Sequence, residues 1–460
     1  MHIPNQLQDR FIEALAPLAR DPAPLARMIR ATSNTAHGDY QANCAMPLSK
    51  QLGKRDAAEV AAQIVAQLHV DDICEPPEVV RGFINLRLQD RFISQCLTRM
   101  LGDNRCLIDR NEEDVRIVID YSSPNVAKPM HVGHIRSTVI GDSLARILQF
   151  LGYHTISDNH LGDWGTQFGT IIYGYKHFGD PEVVRANPVA ELTKLYRLVN
   201  QLVEYRKAVA SVQPLQQQIG EAFAVREQLT AHSDPLDPQD SKAAKKQKKA
   251  IAAAERKCDA LRAQLASSEQ KIAAVQSDSQ LNGMAQSHPT IDRDVLIETA
   301  KLHEGDQENL DLWRQFMPHC LDEINRIYGR LNVTFDHTLG ESFYHPMLAG
   351  VVADLERQGL AAESDGAVCV FLPNFDAPMI VRKQDGAFLY ATTDLATLQY
   401  RLEQFNPSEI LYVVDTRQSE HFDKLFAVAH HFGLEQVKLV HVNFGTVLGE
   451  DGRPMKTRSG

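Results

Sequence analysis

A chain of 460 residues, 43% hydrophobic and 23% charged, can bury a large core and divides more naturally into two or three domains than into one. Its formal net charge of −11 and pI near 5.9 exclude a protein coated in positive charge for nonspecific nucleic-acid binding, so any polyanion must be met by a local basic patch. Seven scattered cysteines, none in a Cys-x-x-Cys pair, exclude a disulfide framework and a zinc ribbon and fit a reducing cytoplasm.

The opening "MHIPNQLQDRFIEALAPLAR" is amphipathic but carries Asp9 and Glu13, lacks the apolar run of a signal segment, and is followed by no window of membrane-spanning length. Helical and short strand-like stretches then alternate up to "VVRGFINLRLQD", where Phe83, Ile84, Leu86 and Leu88 carry a strand pattern. Residues 1–108 are therefore expected to form a small α+β domain. Beyond it, "VRIVIDYS" (Val115 to Ser122) is a β-branched run of buried-strand character, and the next stretch sets Ile135, Val139, Ile140, Leu144, Ile147, Leu148 and Leu151 on one side of a helix ending near Gly152. "HTISDNHLGDWGTQFG" reads as a second strand opening into a glycine-rich loop. Strand, helix, strand is the parallel crossover, so residues 109–460 are expected to be α/β, a Rossmann-like parallel sheet that binds ligands at the carboxyl ends of its strands.

Residues 191–280 differ in kind. Ile251, Ala254, Cys258, Leu261, Leu265, Ser268, Ile272 and Val275 recur at alternating spacings of three and four, a heptad seam. Leu195, Val199, Leu202, Val209, Val212, Ile219 and Phe223 offer a partner helix with a kink at Pro214, and "HSDPLDPQD" supplies the turn of an inserted antiparallel hairpin. Such an arm serves tRNA contact, a partner interface, or structure alone; heptads specify no ligand. From about Phe371 the sheet is expected to resume, with "EILYVVDT" and "VKLVHVNFG" as strands around a helix bearing Phe422, Leu425 and Phe426. The terminal "GEDGRPMKTRSG" is basic and glycine-rich and follows a strand end, so it is expected over the cleft.

The chemistry concentrates in "SSPNVAKPMHVGHIRST", residues 122–138. A helix N-terminus presents unpaired N–H groups and attracts phosphate, and His131 and His134 would add donors there. Gly133, without a side chain, admits a flat ring or a phosphate close to the backbone. Two histidines near a helix start are explained equally well as caps. With Lys128 on one side and Lys456 and Arg458 on a second loop at a strand end, two cationic arms face a cleft suited to a triphosphate.

"HVGH" followed far downstream by "MKTRSG" resembles the two signatures of class I aminoacyl-tRNA synthetases. More closely, "DYSSPNVAKPMHVGHIRSTVIGDSLARIL", "DNHLGDWGTQFG", "GESFY", "LYATTDLAT", "DTRQSEHF" and "PMKTRSG", in this order, resemble the arginyl-tRNA synthetase family, and "HGDYQANCAMPLSKQLG" is similar to that family's N-terminal domain. The resemblance implies that His131 and His134 hold ATP phosphates and stabilise the pentavalent transition state of adenylate formation. Thr457 stands where the second signature usually ends in a catalytic lysine, and Lys128 stands where this family carries its substitute. Gly133, Lys456 and Arg458 are then further ATP contacts.

The same resemblance implies that Glu341, Tyr390 and Asp394 take the guanidinium of arginine and that Asn125 and Gln418 take its α-amino and carboxylate ends. Asn34, Asp39, Tyr40 and Asn43 would meet the tRNA elbow. Expected substrates and partners are arginine, tRNA, and ATP with Mg2+, without a permanently bound metal, in a cytoplasmic monomer that needs bound tRNA for activation. The family continues into a helical anticodon-binding domain that this chain, ending at Gly460, is expected to lack. Two other readings stay open: another nucleotidyltransferase with the same HxGH motif, and a non-catalytic synthetase-like protein that binds tRNA or a partner.

Overall fold

The structure, a computed structural model, describes residues 3–53, 56–128, 130–231 and 241–448, with the side chains of 241–246 excepted. The chain divides into two compact units, Met1–Glu113 with Phe150–Gly152, and Asp114–Gln149 with Tyr153–Gly460.

In the first unit, four short antiparallel strands, β1 (Ile29–Ala31), β2 (Tyr40–Ala42), β3 (Glu78–Val80) and β4 (Phe83–Leu86), form a sheet in the order β1-β2-β4-β3. Helices Ile3–Leu15 and Ala57–Gln67 cover it, burying Leu7, Phe11 and Leu15 from one and Val60, Ala61 and Ile64 from the other. Asp56 caps the second helix by accepting a hydrogen bond from Ala58 N at 2.9 Å. Leu88, read as part of the strand, lies just beyond β4 and is tied to Cys74 by a single bridge. All seven cysteines are free.

The second unit carries the expected parallel sheet. Its strands β5 (Arg116–Asp120), β6 (His154–Leu161), β7 (His337–Gly340), β11 (Glu409–Asp415) and β12 (Lys438–Phe444) lie in the order β12-β11-β5-β6-β7, all parallel. Chain order reverses between β5 and β11, which makes the carboxyl ends of these two strands the crevice where such sheets hold ligands. β7 was not visible in the sequence. The sheet also does not resume at Phe371: β8 (Ala361–Ser364), β9 (Ala367–Val370) and β10 (Met379–Arg382) form a separate antiparallel sheet, and parallel pairing returns only at Glu409. Strands of four residues carry too short an apolar pattern to be assigned to one sheet or the other.

The Val132–Phe150 helix, the crossover from β5 to β6, packs Ile140, Leu144 and Leu148 against the core as expected, but its most buried face is turned toward its small residues. Val139 and Ile147 are 45% and 54% exposed, whereas Ser137, Thr138, Gly141 and Ala145 are buried. Gly141 explains the choice: a Cβ there would lie 2.2 Å from the Tyr121 ring, so the small-residue face is the one that can approach the sheet.

Between β6 and β7 the chain makes a long helical excursion. Helices Pro188–Ala231 and Ser241–Gln276 run antiparallel, as the contacts Glu204–Lys271 (2.7 Å), Ser211–Ser268 (3.0 Å) and Leu229–Gln247 (3.3 Å) require. Cys258, Leu261 and Val275 of the seam are buried as expected. On the facing helix Leu195, Val199 and Leu202 are buried and Ile219 packs against Cys258 and Leu261 as expected, whereas Val209 is 43% exposed and Leu215 and Ala222 join the contact. Pro214 lies inside a helix that continues past it. The "HSDPLDPQD" turn, residues 232–240, lies outside the described residues.

One buried ion pair network joins the sheet to a covering helix. Asp120 and Asp158 are register partners on β5 and β6, and Arg401, on the Tyr390–Phe405 helix and fully buried, bonds both: Nη2 to Asp120 Oδ2 at 2.7 Å and Nε to Asp158 Oδ2 at 2.8 Å. Two carboxylates side by side in the core need that cation. Arg401→Met should therefore destabilise the second unit by about 3–5 kcal/mol in urea unfolding, and adding Asp158→Asn should recover part of the loss. A single substitution as stable as the wild type would show that the carboxylates are neutral without the arginine.

Candidate functional site

At the end of β5 the backbone turns sharply. Ser122 and Ser123 both have positive φ, 74° and 46°, a conformation that is strained for residues with a Cβ. A set of hydrogen bonds holds it. Ser122 N donates to Ser137 Oγ (2.9 Å), Ser122 Oγ lies 2.7 Å from the Tyr328 hydroxyl, Ser123 N donates to Asn159 Oδ1 (3.1 Å), and Ser123 Oγ donates to Asp120 Oδ1 (2.9 Å). Asn125 then pairs with Gly162, whose N–H reaches Pro124 O at 3.1 Å, so the loops after β5 and β6 are fastened together.

From this platform the 132–150 helix starts with both histidines on its first turn. His131 N donates to His134 Nδ1 at 3.3 Å, Gly133 N donates to His131 Nδ1 at 3.1 Å, and the two rings stack with centroids 3.8 Å apart. A backbone N–H only donates, so each Nδ1 is the bare nitrogen and each neutral ring carries its proton on Nε2. Both rings are neutral at pH 7. Burial pushes His134 down to about 4, with His131 and Lys128 adding to the effect, and burial likewise lowers His131. A Cβ at Gly133 would meet the His131 ring at 3.0 Å, so the glycine keeps this stack closed. Lys128 Nζ lies 5.9 Å from the Tyr196 ring centroid and is paired with no carboxylate among the described residues. The result is a helix N-terminus with two Nε2–H donors and a cation, a site for phosphate oxygens.

A second cluster gathers around Glu341. Asp163, 3% exposed and just after Gly162, accepts from Ser342 N (2.9 Å) and Ser342 Oγ (2.6 Å) and so fixes the turn that carries Glu341. Gly340 makes this possible, since a Cβ there would fall 2.1 Å from Asp163 Oδ2. Burial pushes the Glu341 carboxyl up to about 7, Asp163 and Asp394 push it further in the same direction, and a hydrogen bond from the Trp164 backbone opposes them. Tyr390, 71% exposed at the first turn of the 390–405 helix, is within electrostatic reach of Glu341, and Asp394 follows one turn later on the same helix. Asp394 Oδ2 lies 2.6 Å from His421 Nε2, an interaction that raises the His421 pKa. No group of three or more His, Cys, Asp or Glu among the described residues is placed to hold a metal ion.

The structure thus brings together His131, Gly133, His134, Lys128 and Asn125 at one end of the crevice, and Glu341, Tyr390 and Asp394 beside it. Gln418 is exposed in the turn after β11, next to Arg417, whose charge is felt at His131. Lys456 and Arg458, with Thr457, lie outside the described residues. The four residues expected to meet RNA are in the first unit. Asn34 and Asp39 are exposed but serve their own loop, accepting from Ala36 N (3.0 Å) and Leu88 N (2.8 Å). Tyr40 packs against the core, and Asn43 Oδ1 is buried without a hydrogen-bond partner.

Sequence reasoning missed Asp163 and His421. Asp163 stands in the quoted "HLGDWG", where an acidic residue beside a tryptophan in a glycine-rich loop was the available signal; His421 stands in "SEHF" and carried none.

Comparison with known proteins identifies the family. The family described as "tRNA synthetases class I (R), catalytic domain" matches residues 96–227 and 285–460, and "Arginyl tRNA synthetase N terminal domain" matches residues 5–88. The chain is 57% identical over 464 residues to an arginine–tRNA ligase of Rhodopirellula baltica, covering 100% of this chain and 69% of the relative. It is 36% identical to the arginine–tRNA ligase of Trichodesmium erythraeum, covering 66% of that relative, so the chain spans about two thirds of the length of such relatives. Among solved structures, the arginyl-tRNA synthetase of Plasmodium falciparum matches with a TM-score of 0.63 at 25% identity, over 97% of this chain and 65% of the other.

A pocket carboxyl held near neutrality is a liability to the fold when it ionises. The folded pKa of Glu341 lies above its ordinary value of 4.5, so its contribution to stability is greatest at acid pH and is lost as pH rises toward 7. Glu341→Gln should accordingly raise the stability of the protein at pH 8 by of order 1–3 kcal/mol. Thermal unfolding at several pH values checks this, and a destabilised variant at pH 8 would place the carboxylate in a favourable pair instead.

Proposed function

The chain belongs to the arginyl-tRNA synthetase family, and from that premise we propose that it is an arginine–tRNA ligase, joining arginine to ATP as arginyl-adenylate and passing the arginyl group to the 3′ end of tRNA. In the first step a carboxylate oxygen of arginine attacks the α-phosphorus of ATP and pyrophosphate leaves. In the second, a ribose hydroxyl at the tRNA 3′ end attacks the arginyl carbonyl, AMP departs with the bonding pair, and the hydroxyl proton is released. ATP enters as its magnesium complex, a substrate and not a resident group, and the setting is the cytoplasm.

One observation favours this reading over another HxGH nucleotidyltransferase: the gathering of Asp163, Glu341 and Asp394. Asp163 and Asp394 raise the proton affinity of Glu341, a repulsion that a bound cation relieves, and a planar guanidinium with five donors suits several carboxyl groups at once. Glu341, Tyr390 and Asp394 would take that group. Asn125 and Gln418 would take the α-amino and carboxylate ends, pointing the latter at the phosphates. Those are met by His131 and His134 through Nε2–H, by the free N–H groups of the helix start, and by Lys128, which neutralises charge as it builds on the departing pyrophosphate. Neutral imidazoles serve as donors without being ion-paired away. Lys456 and Arg458 are proposed as further ATP contacts, and Asn34, Asp39, Tyr40 and Asn43 as contacts to the tRNA elbow.

The test is arginine-dependent exchange of pyrophosphate into ATP with tRNA present. Exchange with arginine and not with lysine is the predicted result; exchange driven by another amino acid, or by none, would sink the proposal. In the same assay His134→Ala should lower the rate by roughly 10²-fold, the usual consequence of losing one transition-state donor, with arginine affinity nearly unchanged. Asp394→Asn should do the reverse and weaken arginine binding by about 1.5–3 kcal/mol in calorimetry, tens to hundreds of fold. Unchanged affinity would make Asp394 a partner of His421 alone.

A further inference from the structure

The helical hairpin is not explained by the catalytic site. Its base is structural: Val199, Leu202, Val203, Tyr205 and Val275 pack with Tyr173, Ile291 and Val295 into one buried cluster. Its outer half is different. Beyond Tyr205 few residues of the two helices are buried among the described residues, namely Ala208, Ala222, Cys258 and Leu261, with Leu215 and Ile219 partly buried against the last three. Residues 208–231 extend this arm by about 35 Å at 1.5 Å per residue. So little burial adds little to the core, and the family description of the catalytic domain skips residues 228–284 altogether.

Charge is segregated on this arm. The chain as a whole has 59 acidic against 48 basic residues, yet residues 248–265 hold five cations, Lys248, Lys249, Arg256, Lys257 and Arg262, and two carboxylates, Glu255 and Asp259. All five cations are exposed, and none is ion-paired among the described residues. Lys249 and Arg256, seven residues apart, lie about half a turn from the Ile251, Cys258 and Leu265 positions of the seam and so face away from the partner helix, while Lys248 and Lys257 flank the seam on either side. Elsewhere the hairpin does pair its charges, as Lys271 with Glu204 at 2.7 Å. An acidic protein that must approach a polyanion needs such a local patch.

We propose that the exposed surface of the 241–276 helix, through the outward-facing Lys249 and Arg256 with Lys248 and Lys257 at its flanks, is a contact surface for the phosphate backbone of the tRNA substrate. This rests on the ligase reading above and goes beyond it, since it assigns the insertion a share of tRNA affinity that does not depend on base sequence. Phosphate contacts of this kind release counterions, and each adds about 0.7–0.9 to the slope of log affinity against log salt.

The experiment measures binding of a tRNAArg transcript to the 460-residue chain across salt concentration, for the wild type and for K248Q/K249Q/R256Q/K257Q. The quadruple variant should bind about tenfold more weakly at low salt, with a slope shallower by about 3, while the charge-preserving variant K248R/K249R/R256K/K257R binds like the wild type. Circular dichroism and arginine calorimetry on the same proteins establish that helix content and the amino-acid pocket are intact. Equal affinity and equal slope in the glutamine variant would overturn the proposal, as would a loss that the charge-preserving variant shares. Failure of the ligase reading looks different: a wild-type protein that binds tRNA yet shows no arginine-dependent exchange.

Discussion

Arg401 is the constraint on which the site depends. Its guanidinium, fully buried, is bonded to Asp120 and Asp158 on two central strands, and these carboxylates are neighbours in register. Asp120 also receives the Ser123 hydroxyl, which steadies the strained turn leading into Asn125, Lys128 and the histidines. In the other direction, Arg401 lies on the helix that carries Tyr390 and Asp394. A single cation thus fixes the loop proposed to meet phosphate and the helix proposed to meet the amino acid against the same pair of strands. Buried ion pairs add little net stability compared with apolar packing, but they tolerate only one geometry, and here that geometry sets the alignment of two half-sites.

The two half-sites use charge in opposite ways. Around the histidines, burial and nearby cations keep the imidazoles neutral, so they act as donors through Nε2–H without a counterion of their own. Around Glu341, burial and neighbouring carboxylates hold a proton that a cation would displace. His421, bonded to Asp394, partly offsets that excess of negative charge in the free protein. A pocket of this kind is strained until it is filled, and the strain is selective because a neutral ligand cannot relieve it.

Much of this was legible in the chain. The β-branched run at 115–122, the helix after it and the strand at 154–161 announced the parallel crossover, and the heptads announced the hairpin. Motifs placed Glu341, Tyr390 and Asp394 together because two of them share a helix face. What stayed hidden depended on contacts between distant segments. Arg401 with Asp120 and Asp158 is invisible to any local pattern, since its members are 243 and 281 residues apart in sequence. The buried face of the 132–150 helix was read only in part: Ile140, Leu144 and Leu148 do pack on the core, but the room left by Gly141 against Tyr121 turns the small-residue side innermost. His421 and Asp163 act through hydrogen bonds to Asp394 and Ser342, on helices that the sequence does not bring beside them.

The central claim is that Glu341, with Asp163, Asp394, Tyr390 and His421 around it, reads the charge of arginine. Calorimetric titration of arginine in buffers of different ionisation enthalpy tests it most directly, because it counts protons released on binding. Since the free carboxyl titrates at about 7, the account predicts release approaching one proton per arginine below that pH and falling to none by about pH 8.5, with the neutral urea analogue citrulline binding far more weakly and releasing none. Arginine that binds without proton release at any pH, or citrulline that binds as tightly, would contradict it.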